Sequence, residues 1–399
     1  MVSATVSPAR ARLARKLVWP TIGTLAVLLW QFATVTANYK GNWTALFCTG
    51  QILKQPPALA PEHIYLFPGT AGFDGEYYHY IAHDPFFRHG FDRYVDAPRL
   101  RYRRILVPGL AFLLAAGQSG GIDRAYYIVC LFFTWLGIFW LSEYVAMIGR
   151  HRAFGLIFLI LPAVVVTTDR MVADGALAAF AAGFALYCLR PTSPNWKMYV
   201  LLGAAALTRE TGLVLACAFC LYELFRRRPK PAVFAALAIV PCLAWYAFVG
   251  LHTIPFDYGG YYAPLSSTFG ALFHPASYPP SVRFRPVVQA ADVLALLGML
   301  LAIVLAFVAL IRGKIRPVAI ASVLFALIAI VVQRPENWGE VYDFGRVFTP
   351  LLLFLLLDWL AAPDWRRWRA WIPALPLIVM LPRLGMPLIP QLEGILRIF

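Results

Sequence analysis

Apolar runs alternate with short polar segments along almost the whole chain. Runs long enough to cross a bilayer, or nearly so, fall at about 17–37, 124–148, 153–168, 172–189, 196–208, 212–225, 231–251, 287–311, 317–333, 345–361 and 370–388. This pattern predicts eleven membrane-spanning helices. A twelfth run, "ILVPGLAFLLAAG" at 105–117, would reach only about 20 Å as a helix, against a hydrocarbon core of about 30 Å.

Charge decides how that run is placed. If 105–117 does not cross, the basic clusters Arg10/Arg12/Arg15/Lys16, "GRHR" 149–152, "RPTSPNWK" 190–197, "RRRPK" 226–230, "RGKIR" 312–316 and "WRRWR" 365–369 share one side. The positive-inside rule makes that side the cytoplasm. If it crosses, the first cluster opposes the others. The stretch is therefore expected as an interfacial or re-entrant helix inside a long first outer loop, 38–123, with a second outer loop at 252–286. The runs 196–208 and 212–225 are expected as half-buried helices meeting at "TRETG", a break tolerable where it lines a protein cavity.

Composition agrees. With 60% hydrophobic and 14% charged residues and mean hydropathy +0.67, the chain has more apolar surface than one soluble core can hide. It reads as a single all-α polytopic membrane domain, 1–399. The net charge of +15 lies in the loop clusters, which fits membrane orientation and not nucleic-acid binding. Five of the six cysteines lie in apolar runs, and the C-x-x-C of Cys217 and Cys220 lacks a second ligand pair, so core packing is expected and no metal or disulfide framework. The apolar stretch Trp19 to Ala37 exceeds a signal-peptide core and reads as an uncleaved first span. The chain has no Gly-rich phosphate loop, no HExxH and no visible internal repeat; the last weighs against an inverted-repeat transporter.

The same topology sorts the acids. Asp74, Glu76, Asp84, Asp92, Asp96, Asp169, Asp174, Glu210, Asp257, Glu336, Glu340 and Asp343 all fall on the outer side or at outer span ends. Any chemistry is expected to face outward.

Several stretches carry candidate residues. "GFDGEYYHY" (72–80) sets Asp74 at the start of a helix with one apolar face, expected to lie in the interface. Asp74 reads either as a general base at the water–lipid boundary or as a helix cap. Glu76, Tyr77, Tyr78 and His79 beside it are candidate substrate contacts. "DAPRLRYRRIL" (96–106) packs Arg99, Arg101, Arg103 and Arg104 into six positions, suited to a lipid phosphate or to headgroup snorkelling. In "TTDRMVADGA" (167–176), Arg170 and Asp174 are spaced to pair on one helix face, and Asp169 reads as a cap or a functional carboxylate. Arg209 and Glu210 in "LTRETG" cannot face each other, so each needs an outside partner, and Arg209 is expected to face a cavity. Arg346 in "YDFGRVFTPLL" could hold a lipid phosphate, with Asp343 as its alternative partner. Tyr261 and Tyr262, in the aromatic second loop, read as a sugar platform or an interface belt.

In this order, "FDGEYY", Asp169 with Asp174, "LTRE" (207–210) and "GRVFTPLL" (345–352) resemble the GT-C superfamily of integral membrane glycosyltransferases. "DGEYY" followed by "YVDAPRLRYRRILVPGLA" is similar to bacterial cell-surface glycopolymer formation proteins. The resemblance covers roughly residues 17–361. It implies a GT-C fold in a bacterial inner membrane, with a polyprenyl-phosphate sugar donor and a lipid, glycan or protein acceptor. It also implies that Asp74 is the general base, with Asp174 and Asp169 next in line, and that Arg209 or Arg346 contacts the carrier phosphate, with Arg101, Arg103 and Arg104 as further phosphate candidates. The chain departs from the oligosaccharyltransferase branch in lacking a large C-terminal soluble domain and an evident metal motif, so metal-independent, cofactor-free, inverting chemistry is expected. Two other readings stand beside it. A glycolipid transporter would need ionisable groups at mid-membrane as well, and a lipid-linked glycan polymerase would not need a base on the first loop.

Overall fold

The computed structural model describes residues 8–190, 196–255, 262–278, 284–313 and 315–397, with side chains from residue 13 onward. Tyr261 and Asp257 lie outside the described residues. The described chain is all-helical, with only two isolated bridges, Thr49 with Gly72 and Gly50 with Phe67, tying together the segment that follows the first helix. In order the helices are α1 (Pro8–Asn38), α2 (Asp74–His83), α3 (Pro98–Arg101), α4 (Leu106–Leu114), α5 (Ser119–Met147), α6 (Pro162–Arg170), α7 (Asp174–Leu189), α8 (Trp196–Thr208) and α9 (Leu213–Phe225). They continue as α10 (Pro229–Ala238), α11 (Val240–His252), α12 (Ser266–Phe273), α13 (Arg285–Arg312), α14 (Pro317–Val331), α15 (Val341–Val347), α16 (Thr349–Ala361), α17 (Leu375–Gly385) and α18 (Ile389–Leu396).

Helices occupy all eleven apolar runs, but length and apolarity qualify five of them to span a membrane. Counting two bent pairs as single spans raises this to seven; these are the 3₁₀ turn Arg152–Ile160 with α6, bent by 63°, and α15 with α16, bent by 66°. Prolines mark both breaks, Pro162 and Pro350 standing in the first turns of α6 and α16, where a missing N–H costs no helix bond. The apolar helices α7, α8 and α14 are shorter.

α7 is the core of the molecule. Its alanine-rich sequence is buried on every side from Asp174 to Leu186, as expected of a helix apolar all round, and it packs against α5, α6, α8 and α16. Peripheral helices show the opposite arrangement. On α13 the inner face is Ala291, Ala295, Met299, Ala302 and Ala306, while Val287, Leu294, Leu297, Val304 and Ile311 are exposed. α1 exposes Ile22, Leu25, Leu29 and Phe32, and α10 and α11 expose Phe234, Leu237, Val240 and Leu243. Apolar surface on this scale suits hydrocarbon and not water, consistent with a multi-pass membrane protein.

Three expectations change. α2 was expected half-submerged in an interface, yet every residue from Gly75 to His83 is buried, because α4, α5 and two 3₁₀ turns close around it. No helix face carries Arg170 and Asp174 together. The chain breaks between them at Met171, in left-handed backbone (φ 47°), and the break is pinned: Tyr126 Oη donates to Met171 O at 2.9 Å and Thr167 Oγ1 donates to Val172 O at 3.0 Å. Cys217, expected in the core, is exposed on the outward face of α9.

Candidate functional site

Residues from five separate stretches converge on Asp74. The helix opens at Asp74 itself and the preceding Phe73 is its cap, so the carboxylate does not cap the helix. It turns instead to two guanidinium groups, Arg101 Nη1 at 2.6 Å and Arg346 Nη2 at 2.7 Å, both making their closest approach to Oδ2. Gly75 makes this position possible, since a Cβ there would lie 2.1 Å from Arg170 O and 2.7 Å from Phe47 O. The first turn of α2 is thereby pressed against the end of α6.

Arg346 sits at the last turn of α15, 7% exposed, where the bend into α16 aims it at the same point. Its Nη1 lies 3.7 Å from Asp174 Oδ2, its Nη2 3.3 Å from Asp343 Oδ1, and its guanidinium 4.8 Å from the Phe73 ring centroid. Asp174 stands in the first turn of α7, where the helix dipole favours a carboxylate, and its Oδ1 accepts from Arg209. Arg104 closes the far side, donating through Nε to Glu210 Oε2 at 3.1 Å and through Nη1 to Tyr78 Oη at 2.9 Å. Arg209 and Glu210 thus each find the outside partner their adjacency required.

Four guanidinium groups (Arg101, Arg104, Arg209, Arg346) therefore face four carboxylates (Asp74, Asp174, Glu210, Asp343), with Asp96 bridging Arg101 at the rim, 2.8 Å away. Burial alone would raise the Asp74 carboxyl, but Arg101 and Arg346 outweigh it and hold the group well below the usual carboxylate range. Burial would lower the Arg101 guanidinium, but Asp74 and Asp96 hold it above its ordinary value. Some valences are left over. Arg346 Nε and Nη1, Asp174 Oδ2 and Glu210 Oε1 are buried without a hydrogen-bond partner. Hydrogen-bond donors of a buried arginine left unmade are costly, although Arg346 Nη1 keeps its ion pair with Asp174 Oδ2 at 3.7 Å.

Other sequence candidates lie elsewhere. Asp169, expected as a catalytic carboxylate or a cap, pairs with Arg170 at 3.3 Å and accepts from Gln391, outside the Asp74 cluster. Arg103 lies over the Tyr246 ring at 5.1 Å with its Nε buried and without a hydrogen-bond partner, and Arg99 donates to Gly250 O at 2.8 Å and to Thr253 O, so both pack against α11 and the residue that follows it. Glu76 is 1% exposed and accepts from Gly50 N at 2.9 Å, tying its helix to the loop bridge; burial raises its carboxyl to about 7. Tyr77 stays at the cluster, its ring 5.1 Å from the Arg101 guanidinium. Tyr262 is partly buried and adds no ion pair to the cluster.

His79 is the largest displacement from expectation. It points away from Asp74, fully buried, with Nε2 2.6 Å from Asp123 Oδ1. Around it gather Glu62 and His83, so four residues of metal-ligand type meet where none was expected. The signal was present: His79 and His83 in "HYIAH" are four apart, on one helix face. Asp123 and Glu62 carry no such mark.

No family model, curated protein or solved structure matches this chain.

Proposed function

We propose that the chain is a GT-C-type glycosyltransferase, moving a sugar from a polyprenyl-phosphate donor to a hydroxyl of a lipid, glycan or protein acceptor. In this reading the apolar runs form eleven crossings of a bacterial inner membrane, the N-terminus is cytoplasmic, and the Asp74 cluster faces the exterior. The observation that carries it is Arg346, a buried arginine whose Nε and Nη1 make no hydrogen bond, Nη1 facing Asp174 Oδ2 at 3.7 Å, and which shares Asp74 with Arg101.

Each residue then has a part. Arg346 and Arg101 take the donor phosphate, with Arg209 holding Asp174 in place behind them. The singly charged phosphodiester of the donor, entering this balanced set, displaces Asp74 from the guanidinium groups, and the carboxylate regains the basicity they suppressed. Asp74 accepts the acceptor hydroxyl proton as the oxygen bonds to the anomeric carbon, and the carbon–phosphate oxygen bond breaks on the opposite face. Polyprenyl phosphate leaves unprotonated, its charge met by the arginines. The anomeric configuration inverts.

The test is incubation of purified protein with polyprenyl-monophosphate sugars and an acceptor extract, reading released polyprenyl phosphate. Release that depends on Asp74 supports the reading. A folded protein that binds these lipids and moves them across vesicles without cleavage would make it a transporter instead.

A further inference from the structure

We propose that Glu62, His79, His83 and Asp123 bind one divalent ion of the zinc class, which staples α2 to the start of α5. The inference stands apart from the transferase reading, since it rests on a different face of α2 and is tested by metal content.

Three chain segments supply the four groups. His79 and His83 lie one turn apart on α2, Asp123 at the fifth position of α5, and Glu62 at the end of the 3₁₀ turn Pro57–Glu62. One ligand atom from each lies within 4.8 Å of all the others. The separations are 2.6 Å (His79 Nε2 to Asp123 Oδ1), 3.2 Å (His79 Nε2 to His83 Nε2), 3.5 Å (His79 Nε2 to Glu62 Oε2), 3.5 Å (His83 Nε2 to Glu62 Oε1) and 4.0 Å (His83 Nε2 to Asp123 Oδ1). Zinc bonds of about 2.0–2.1 Å in a tetrahedron set ligand atoms about 3.3 Å apart, the middle of this range.

Hydrogen bonding fixes the tautomer that a metal needs. The Ser119 hydroxyl donates its single hydrogen to Glu62 Oε1 at 3.1 Å, so its oxygen accepts from His83 Nδ1 at 3.0 Å. His83 therefore carries its proton on Nδ1 and turns a bare Nε2 toward the His79 nitrogen. Without an ion, one His79 Nε2 proton would have to serve Asp123 Oδ1 at 2.6 Å, His83 Nε2 at 3.2 Å and Glu62 Oε2 at 3.5 Å together, and Glu62 Oε2 is buried without a hydrogen-bond partner. A cation at the centre resolves both. Ser119 is the outer partner that a ligating His83 needs, while the His79 ring is held by stacking on Phe47, centroids 4.1 Å apart, with Nδ1 buried and unpartnered.

The donor set selects the ion. Two imidazoles and two carboxylates suit zinc and neutralise its charge, whereas calcium and magnesium take oxygen shells. Four protein ligands leave no open position, so the role is structural. The ion would anchor the end of α2 that follows Asp74, His79 standing about 7.5 Å further along the axis.

Full-length protein purified in detergent without chelator is expected to carry about one zinc per chain by mass spectrometry of the metal. After stripping with EDTA it should take up Co²⁺ with the visible absorption of a tetrahedral site. His83→Gln and Asp123→Asn should lose both signals, and Ser119→Ala should weaken Co²⁺ binding about 10- to 100-fold. Zinc should raise the melting temperature of the stripped wild type and leave His83→Gln unmoved. Should His83→Gln aggregate, Ser119→Ala, which deletes one hydroxyl, decides alone. Wild type with no stoichiometric zinc and no cobalt spectrum overturns the proposal, as does a monodisperse His83→Gln that keeps its metal.

Discussion

Replacing Asp74 by Asn should tighten the binding of phosphate lipid while destroying turnover. Arg101 and Arg346 make their closest approach to one carboxylate oxygen, 2.6 and 2.7 Å away, so an arriving phosphate must compete with Asp74 for the same N–H groups. A phosphate held by these arginines would place unit charge about 5 Å from the carboxylate. At an effective dielectric of about 20, that repulsion is on the order of 3 kcal/mol. Relaxation of the side chains returns part of it, leaving an expected affinity gain of about 10- to 100-fold in Asp74→Asn. Loss of the base should meanwhile lower the transfer rate by about 10² to 10⁴. Equilibrium binding of a fluorescent short-chain polyprenyl phosphate to folded protein in detergent, beside the release assay, measures both. An Asp74→Asn protein that is monodisperse and binds the lipid no better than wild type would refute the competition argument. Near-normal turnover would refute the base.

Other substitutions test neighbouring parts of the argument. Arg346→Lys keeps the charge but loses the fork that reaches Asp74, Asp174 and Asp343 together; donor affinity should fall at least about tenfold by the same binding assay. Gly75→Ala puts a methyl against the carbonyl of Arg170, so it should abolish transfer even where size-exclusion shows a folded protein, and wild-type rates would remove the close approach from the account. Asp169→Asn should leave the transfer rate within about threefold, because Asp169 binds Arg170 and Gln391 away from the cluster. Burial raises the folded Glu76 carboxyl from 4.5 to about 7, so the folded state holds this proton more tightly than the unfolded chain. Stability should therefore fall as pH rises from about 4.5 to 7, by on the order of 3 kcal/mol from this group. Melting curves of Glu76→Gln should show a shallower decline over that window, and parallel curves would rule out the shift.

Much of the Asp74 cluster was legible as a set of candidates and little of it as partnerships. Asp74, Asp174, Arg209 and Arg346 stood out because ionisable residues are rare in so apolar a chain, and the rarity itself is a signal. Which acid meets which base was not readable, since pairing depends on how α7, α15 and α3 cross. The expected pair of Arg170 with Asp174 failed at Met171, a residue type with no preference for left-handed backbone. Placement of α2 failed for a related reason. Tyrosine and histidine sit equally well at an interface or in a core with their polar atoms satisfied, so "EYYHYIAH" carries no mark of which it will be.

The sharing of Asp74 between Arg101 and Arg346 also sets an order of assembly. The chain is made from its N-terminus, so Asp74 and Arg101 emerge together while Arg346 follows 245 residues later. At about 5–20 residues per second, that is on the order of tens of seconds during which the first loop holds a half-made cluster. The finished site is thus a late event of biogenesis. Any chain cut short before α15 leaves Asp74 to a single arginine.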